Sequence, residues 1–155
     1  MRRGPCPATE NMPMSDEEIR KILQETKTIA AVGLSSKEGK PSNAVCGFLQ
    51  SKGYRVIPVN PNEEEVLGEK AYADLEAVPE PVDLVLVFRR PEAVPEIAQA
   101  AVDIGAKVFW MQDGSGSEVA AALARDAGLT VVVNDCMMRQ YMRLETEEGD
   151  RAEKV

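Results

Sequence analysis

The sequence predicts an α/β fold, a single domain with a doubly wound, mostly parallel sheet. Three observations carry that prediction. Short, nearly solid apolar runs recur at 28–32, 54–59, 82–88, 107–111 and 130–133, the pattern of strands covered on both faces. Segments with apolar residues at helical spacing lie between them. The first strand, helix and strand together take roughly 30 residues, the length of a βαβ unit.

The elements follow in order. Ser15 and Glu18 make a capping box, and Ile19, Ile22 and Leu23 form one apolar face, so a helix is expected to about Thr26. The run 28–32 is the first strand and stops at Gly33. After a polar loop, Ala44, Val45, Phe48 and Leu49 repeat at helical spacing until Gly53. The second strand is 54–59, followed by a turn at 60–62 and an acidic stretch with a short strand near 70–72. The third strand is 82–88. Pro91 opens a helix carrying Val94, Ile97, Ala98, Ala101 and Ile104, closed by Gly105. The strand at 107–111 precedes a helix capped by Ser117 and ended by Gly128. The last strand is 130–133, and Met138, Tyr141 and Met142 mark a closing helix. Residues 1–14 read as a disordered leader, 15–145 as the domain and 146–155 as a charged tail. Phe109, Trp110 and Cys46 read as core residues.

Composition excludes several functions. The 155 residues carry a net charge of −8, which repels nucleic acid and anionic membranes, and only 5% are aromatic. There is no histidine, which removes Ser-His triads, Cys-His pairs and the usual zinc and iron sites. No apolar run has the length of a membrane span. Three widely spaced cysteines, Cys6, Cys46 and Cys136, make a poor disulfide framework and fit a reduced, cytoplasmic setting.

Ligands of doubly wound sheets bind outside the carboxyl ends of the strands. Those ends carry Gly33, Ser35, Ser36 and Lys37; Asn60 and Pro61; Phe88, Arg89 and Arg90; Gln112, Asp113 and Gly114; and Asn134, Asp135 and Cys136. The first of these loops leads into a helix near Pro41, and a helix N-terminus favours an anion, as do Lys37 and Lys40. The loop lacks the closely spaced glycines of an NAD site, and the second strand ends in Asn60 rather than an acid. An uncharged end tolerates a phosphorylated ribose. The residues thus point to an adenosine diphosphate bearing an extra phosphate, a description that fits NADP and coenzyme A equally.

VGLSS at 32–36, VIPVNP at 56–61, GAKVFWMQ at 105–112, AGL at 127–129 and DCM at 135–137 occur in this order in small CoA-binding proteins. Over residues 15–145 the chain resembles that family, which is similar in turn to the CoA-binding domain of the succinyl-CoA synthetase alpha subunit. The resemblance implies a Rossmann-like fold that binds coenzyme A without established catalytic residues. It implies that Gly33, Ser35, Ser36 and Lys37 hold the diphosphate region, in a site that also includes Leu34. Asn60 and Pro61 would line the adenosine side, Phe88, Arg89 and Arg90 would flank the nucleotide, and Gln112 would lie nearer the pantetheine arm. Leu34 stands where a smaller residue is common in the family, and Asp113 and Ser115 stand where apolar residues are common.

The expected function is non-catalytic binding of CoA or acyl-CoA. The alternatives are an NADP-dependent oxidoreductase or a CoA-using transferase, and a module reporting cofactor level to a protein partner. Against an enzyme stands the missing acid–base machinery. Asn134 and Cys136 complete the expected site. Cys136, at a strand end and opening the last helix, is a candidate for a mixed disulfide with the CoA thiol.

Overall fold

The computed structural model describes residues 14–154, with side chains through Glu145, so residues 1–13 of the expected leader, Cys6 among them, lie outside the described residues, while Met14 packs against the core. The element order is α1 (Asp16–Glu25), β1 (Thr28–Val32), α2 (Pro41–Ser51), β2 (Arg55–Val59), β3 (Glu65–Val66), β4 (Glu69–Lys70), β5 (Leu84–Val87), α3 (Val94–Asp103), β6 (Val108–Met111), α4 (Glu118–Asp126), β7 (Thr130–Val132) and α5 (Met137–Lys154). Five strands form one sheet in the order β2-β1-β5-β6-β7, every pair parallel. The fold is Rossmann-like. The chain leaves β1 toward β2 and later returns to β5 on its other side, so the switch point lies at β1.

The solid apolar strands are explained by alternation onto two cores. Ile29, Ala31, Leu84, Leu86, Val108 and Trp110 face one core, which α1, α2 and α5 cover. Ala30, Val32, Val85, Val87, Phe109 and Met111 face the other, beneath α3 and α4. The second core is built on small residues. Ala98 and Ala101 of α3 and Ala120, Ala121 and Ala124 of α4 are fully buried, and the two helices pack on each other. Trp110 donates its indole N–H to the Asp135 carbonyl at 2.9 Å, so its one polar atom is satisfied in the core.

Local signals hold at most ends. Ser15 and Glu18 form the full capping box, and Ser117 accepts from Ala120 N–H at the start of α4. Two details differ from the sequence reading. Residues 91–93 form a 3-10 turn, and α3 begins at Val94. Pro95 has no N–H to bond the Pro91 carbonyl, so Val94 N–H bonds it in the tighter register. The short strand near 70–72 is half of a hairpin, β3 with β4, turned by Leu67 and Gly68. Beyond it, Tyr72 N–H donates to the Pro58 carbonyl at 3.0 Å and the Tyr72 carbonyl accepts from Asn60 N–H at 2.8 Å. Pro58 can sit in β2 because β2 is an edge strand with no neighbour needing that missing donor. Helix α5 continues through the stretch expected as a charged tail.

Two constraints fix β1. At its amino end, Asp83 Oδ2 accepts from both Lys27 and Thr28 N–H at 3.0 Å. At its carboxyl end, Gly33 N–H donates to the Val59 carbonyl at 2.8 Å and Phe88 N–H to the Val32 carbonyl at 2.9 Å. Gly33 has φ +91°, and a Cβ there would stand 2.5 Å from the Phe88 oxygen.

Replacing Gly33 by Ala is expected to destabilise the protein by at least about 1–3 kcal/mol through the clash and the left-handed backbone. Urea unfolding measures this, and wild-type stability in the variant would show that β5 gives way instead. Partial burial works to raise the Asp83 carboxyl, but the Thr28 and Lys27 N–H donors and the Lys107 and Lys27 charges outweigh it and hold it below the usual range. The unfolded value is about 3.9. The ionised group therefore stabilises the fold above that pH, and the contribution is lost as pH falls through the lower folded value. Asp83→Ala is expected to cost about 1–3 kcal/mol at pH 7 by orphaning two N–H groups. Its stability should also fall less steeply than wild type as the pH is lowered from about 5 to 3, compared by urea unfolding across that range.

Candidate functional site

The carboxyl edge of the sheet carries a polar cleft of about 520 Å³ at the switch point. Its floor is Gly33, where β1, β2 and β5 end side by side. Residues 35–43 form one wall. Ser42 is buried in α2 and its hydroxyl accepts from Ser35 N–H at 3.1 Å. Ser35 Oγ accepts from Lys37 N–H at 3.1 Å, and Asn43 Nδ2 donates to the Ser35 carbonyl at 2.9 Å. The loop is therefore folded on itself by its own short side chains. Helix α2 opens with Lys40 at the N-cap, Pro41 at the first position, no side-chain cap and no acid in the first turn. No acidic side chain of its own first turn therefore meets the positive end of its dipole.

The second wall comes from β2. Asn60 is buried and works in two directions. Its amide nitrogen donates to the Leu34 carbonyl at 3.1 Å, and its Oδ1 accepts from Asn62 N–H at 3.0 Å. It thus ties the turn after β2 to the loop after β1. Glu63, on that turn, accepts from both Ser36 N–H (2.9 Å) and Ser36 Oγ–H (3.0 Å) on one carboxylate oxygen. Those hydrogen bonds, with the Lys37 charge, hold the Glu63 carboxyl below the usual carboxylate range.

The third wall is the loop after β5, with Phe88, Arg89 and Arg90, backed by Asp113, Gly114 and Ser115. Ser115 is buried and its hydroxyl accepts from Arg89 N–H at 3.1 Å, which sets the backbone from which Arg89 projects. Among the described residues, Lys37, Lys40, Arg89 and Arg90 make no salt bridge, whereas Arg55, Arg139 and Arg143 are all paired to carboxylates. Four cations without salt bridges therefore converge on one cleft of an acidic chain. Arg89 also borders an adjoining pocket of about 380 Å³ on the α3 side, lined by Val32, Val59, Pro61, Leu75 and Ile97.

Of the residues expected at the site, the cleft gathers Gly33, Ser35, Lys37, Asn60, Phe88, Arg89 and Arg90, while Pro61 lies in the adjoining pocket. Ser36 stands at the rim with Glu63. The Leu34 side chain is fully buried in the core and does not line the cleft, and its carbonyl accepts from Asn60. Gln112 is buried and its Oε1 accepts from Met137 N–H at 2.9 Å, which caps α5. Asn134 Oδ1 accepts from Gly116 N–H at 2.7 Å, and a Cβ at Gly116 would run into that side chain. Cys136 is 7% exposed and belongs to the core beside Met137. Cys46 is fully buried, and burial pushes its thiol pKa well up. The structure adds Ser42, Asn43, Asn62, Glu63 and Ser115 to the site. Ser115 follows a strand end, a signal in the sequence that points to it. Glu63 sits in an acidic run, Glu63 to Glu65, in which nothing separates one carboxylate from its neighbours.

Among the described residues no cluster of acidic or thiol side chains is arranged to hold a metal, and no helix is long and apolar enough to cross a membrane. The family model described as the CoA binding domain matches residues 27–142. The Bacillus subtilis (strain 168) protein YneT is 42% identical over 123 residues, 79% of this chain and 91% of that protein. A hypothetical protein from Pyrococcus horikoshii OT3 superposes with a TM-score of 0.84 at 39% identity, over 93% of this chain and 99% of that one. ADP-forming acetate–CoA ligase I of Archaeoglobus fulgidus is 32% identical over 103 residues, which make up 66% of this chain but 14% of the ligase. The matched span runs from the start of β1 into α5 and includes every wall of the cleft, and the chain belongs to the CoA binding domain family.

Proposed function

We propose that the cleft binds coenzyme A or an acyl-CoA, and that the protein does so without catalysing a reaction. The observation that carries this is the convergence of Lys37, Lys40, Arg89 and Arg90, none in a salt bridge, on the open N-terminus of α2. Coenzyme A has a diphosphate and a 3′-phosphate, and charge-assisted contacts to phosphate are the strong ones. Lys37, Lys40 and the α2 N-terminus suit the diphosphate. Arg89 lies between the cleft and the apolar pocket, where it suits the ribose phosphate, and Val32, Val59, Leu75 and Ile97 suit the adenine. Asn60 ends β2 without a carboxylate to repel that phosphate. Membership of the CoA binding domain family supports the ligand, as does the likeness to a segment of an acetate–CoA ligase.

The non-catalytic reading rests on the side chains present. The chain has no histidine, and the thiols of Cys46 and Cys136 are buried rather than presented to the cleft. The carboxylates lining the cleft, Glu63 and Asp113, are engaged by Ser36 and by Arg139. General acid–base work needs a group free to exchange its proton with substrate.

Isothermal titration with CoA, 3′-dephospho-CoA, NADP and NAD tests the ligand. CoA is expected to bind at least about tenfold more tightly than 3′-dephospho-CoA, by one charge-assisted phosphate contact, and NAD far more weakly. Equal affinity for CoA and NAD would sink the proposal, and NADP binding above CoA would move it to the oxidoreductase alternative. Arg89→Ala is expected to weaken CoA on the order of tenfold or more while narrowing the gap to 3′-dephospho-CoA. Thermal unfolding without ligand should barely move, because the hydrogen bond to Ser115 uses the Arg89 main chain.

A further inference from the structure

A carboxylate of the protein itself, Glu63, reaches across to the loop after β1. Glu63 Oε2 accepts from the Ser36 N–H at 2.9 Å and the Ser36 hydroxyl at 3.0 Å. A main-chain N–H and an adjacent hydroxyl, converging on one anionic oxygen at a strand-to-helix loop, form the donor pair a phosphate oxygen takes. We infer that Glu63 is an internal competitor for a phosphate subsite at Ser36, and that a phosphorylated ligand must displace its carboxylate to bind. This rests on the reading of the cleft as a phosphate site.

Hydrogen stoichiometry requires the exchange. The Ser36 N–H and O–H carry one hydrogen each, and both are committed to Glu63. A phosphate group added beside an ionised Glu63 would also meet a like charge at close range. Glu63 is ionised near neutral pH, because Ser36 and Lys37 hold its carboxyl low. The turn that bears it is anchored independently of the contact. Glu63 N–H donates to the Asn60 carbonyl at 3.2 Å, and Asn62 N–H to Asn60 Oδ1. The side chain can therefore swing away on its own torsions while the backbone stays in place. A ligand with no phosphate at this position need not displace the carboxylate, so Glu63 weakens phosphorylated ligands and leaves fragments such as adenosine or pantetheine unaffected. A positioning role for Glu63, holding Ser36 ready for the ligand, predicts the opposite sign on mutation.

The test uses wild type, Glu63→Gln, Ser36→Ala and the double variant. Two probes are applied: CoA by isothermal titration, and inorganic pyrophosphate followed at the Ser36 and Lys37 amides by NMR. Glu63→Gln keeps the shape and removes the charge. It is expected to tighten pyrophosphate, and CoA with it, on the order of tenfold. Ser36→Ala should cost more in the Glu63→Gln background than in wild type, where losing the hydroxyl donor also loosens the hold on the competitor, which keeps only the main-chain N–H. Unchanged or weaker pyrophosphate binding in a natively folded Glu63→Gln variant overturns the inference, as does pyrophosphate failing to reach the Ser36 amide in either protein. If pyrophosphate tightens but CoA binds neither protein, the inference stands and the coenzyme A reading falls. If CoA binds both equally, that reading stands and the competitor is removed.

Discussion

The close approach of three strand ends at Gly33 governs the rest of the molecule. Its N–H reaches the last carbonyl of β2, and its α-carbon lies so near the Phe88 carbonyl that no side chain fits between. Because β1, β2 and β5 finish at this one level, the loops that follow them rise from a common floor. A glycine with φ +91° then lets the chain turn out of the sheet within one residue. Had the strand ended on a residue with a Cβ, the β5 loop would stand farther off, and the two arginines after Phe88 would not face the lysines of residues 37–40.

Charge placement follows from that geometry. The chain is acidic overall, yet the cleft gathers cations that make no salt bridge, while Arg55, Arg139 and Arg143 are matched by carboxylates. Holding like charges together without neutralisation is unfavourable at rest and becomes favourable when a polyanion enters. The cluster is compatible with folding because it is open to solvent, where repulsion is screened. The polar groups that are buried nearby, Asn60, Ser42 and Ser115, all hydrogen-bond to main chain of a neighbouring loop. They set positions and leave the charged side chains facing the cleft.

The two faces of the sheet divide the work. The face under α3 and α4 packs alanines closely, and there the helices lie tight on each other. The face under α1, α2 and α5 takes the large side chains, including Trp110, Leu34 and Leu49. Leu34 is the one residue of the loop after β1 whose side chain enters this core, and it anchors the loop while its carbonyl serves Asn60. A leucine there is consistent with a structural duty for the side chain and a polar duty for the backbone. Gln112 and Asn134 show the same division, since each spends its amide oxygen on a main-chain N–H.

The alternation of solid apolar runs with helical spacing was enough to determine the parallel sheet, the order of elements and the edge that carries the polar cleft, because strands covered on both faces leave no other pattern. Helix starts were legible at Ser15 and Ser117, where a cap is a local hydrogen bond between neighbours in sequence. The hairpin at 65–70 was only half legible, since Leu67 is not a residue whose side chain announces a left-handed turn. The family motifs singled out Gly33 and Asn60, the resemblance carried Arg89 over by position, and the cleft brings the three together. What only the tertiary structure decided is how polar side chains are shared out. Ser42 turned to Ser35, Ser115 to Arg89, Gln112 to α5, and Glu63 across the cleft to Ser36. Each of these contacts spans from 7 to 27 residues of sequence. No periodicity encodes such a pairing, because a hydrogen bond between distant loops depends on where the sheet brings their ends, and that is fixed by packing.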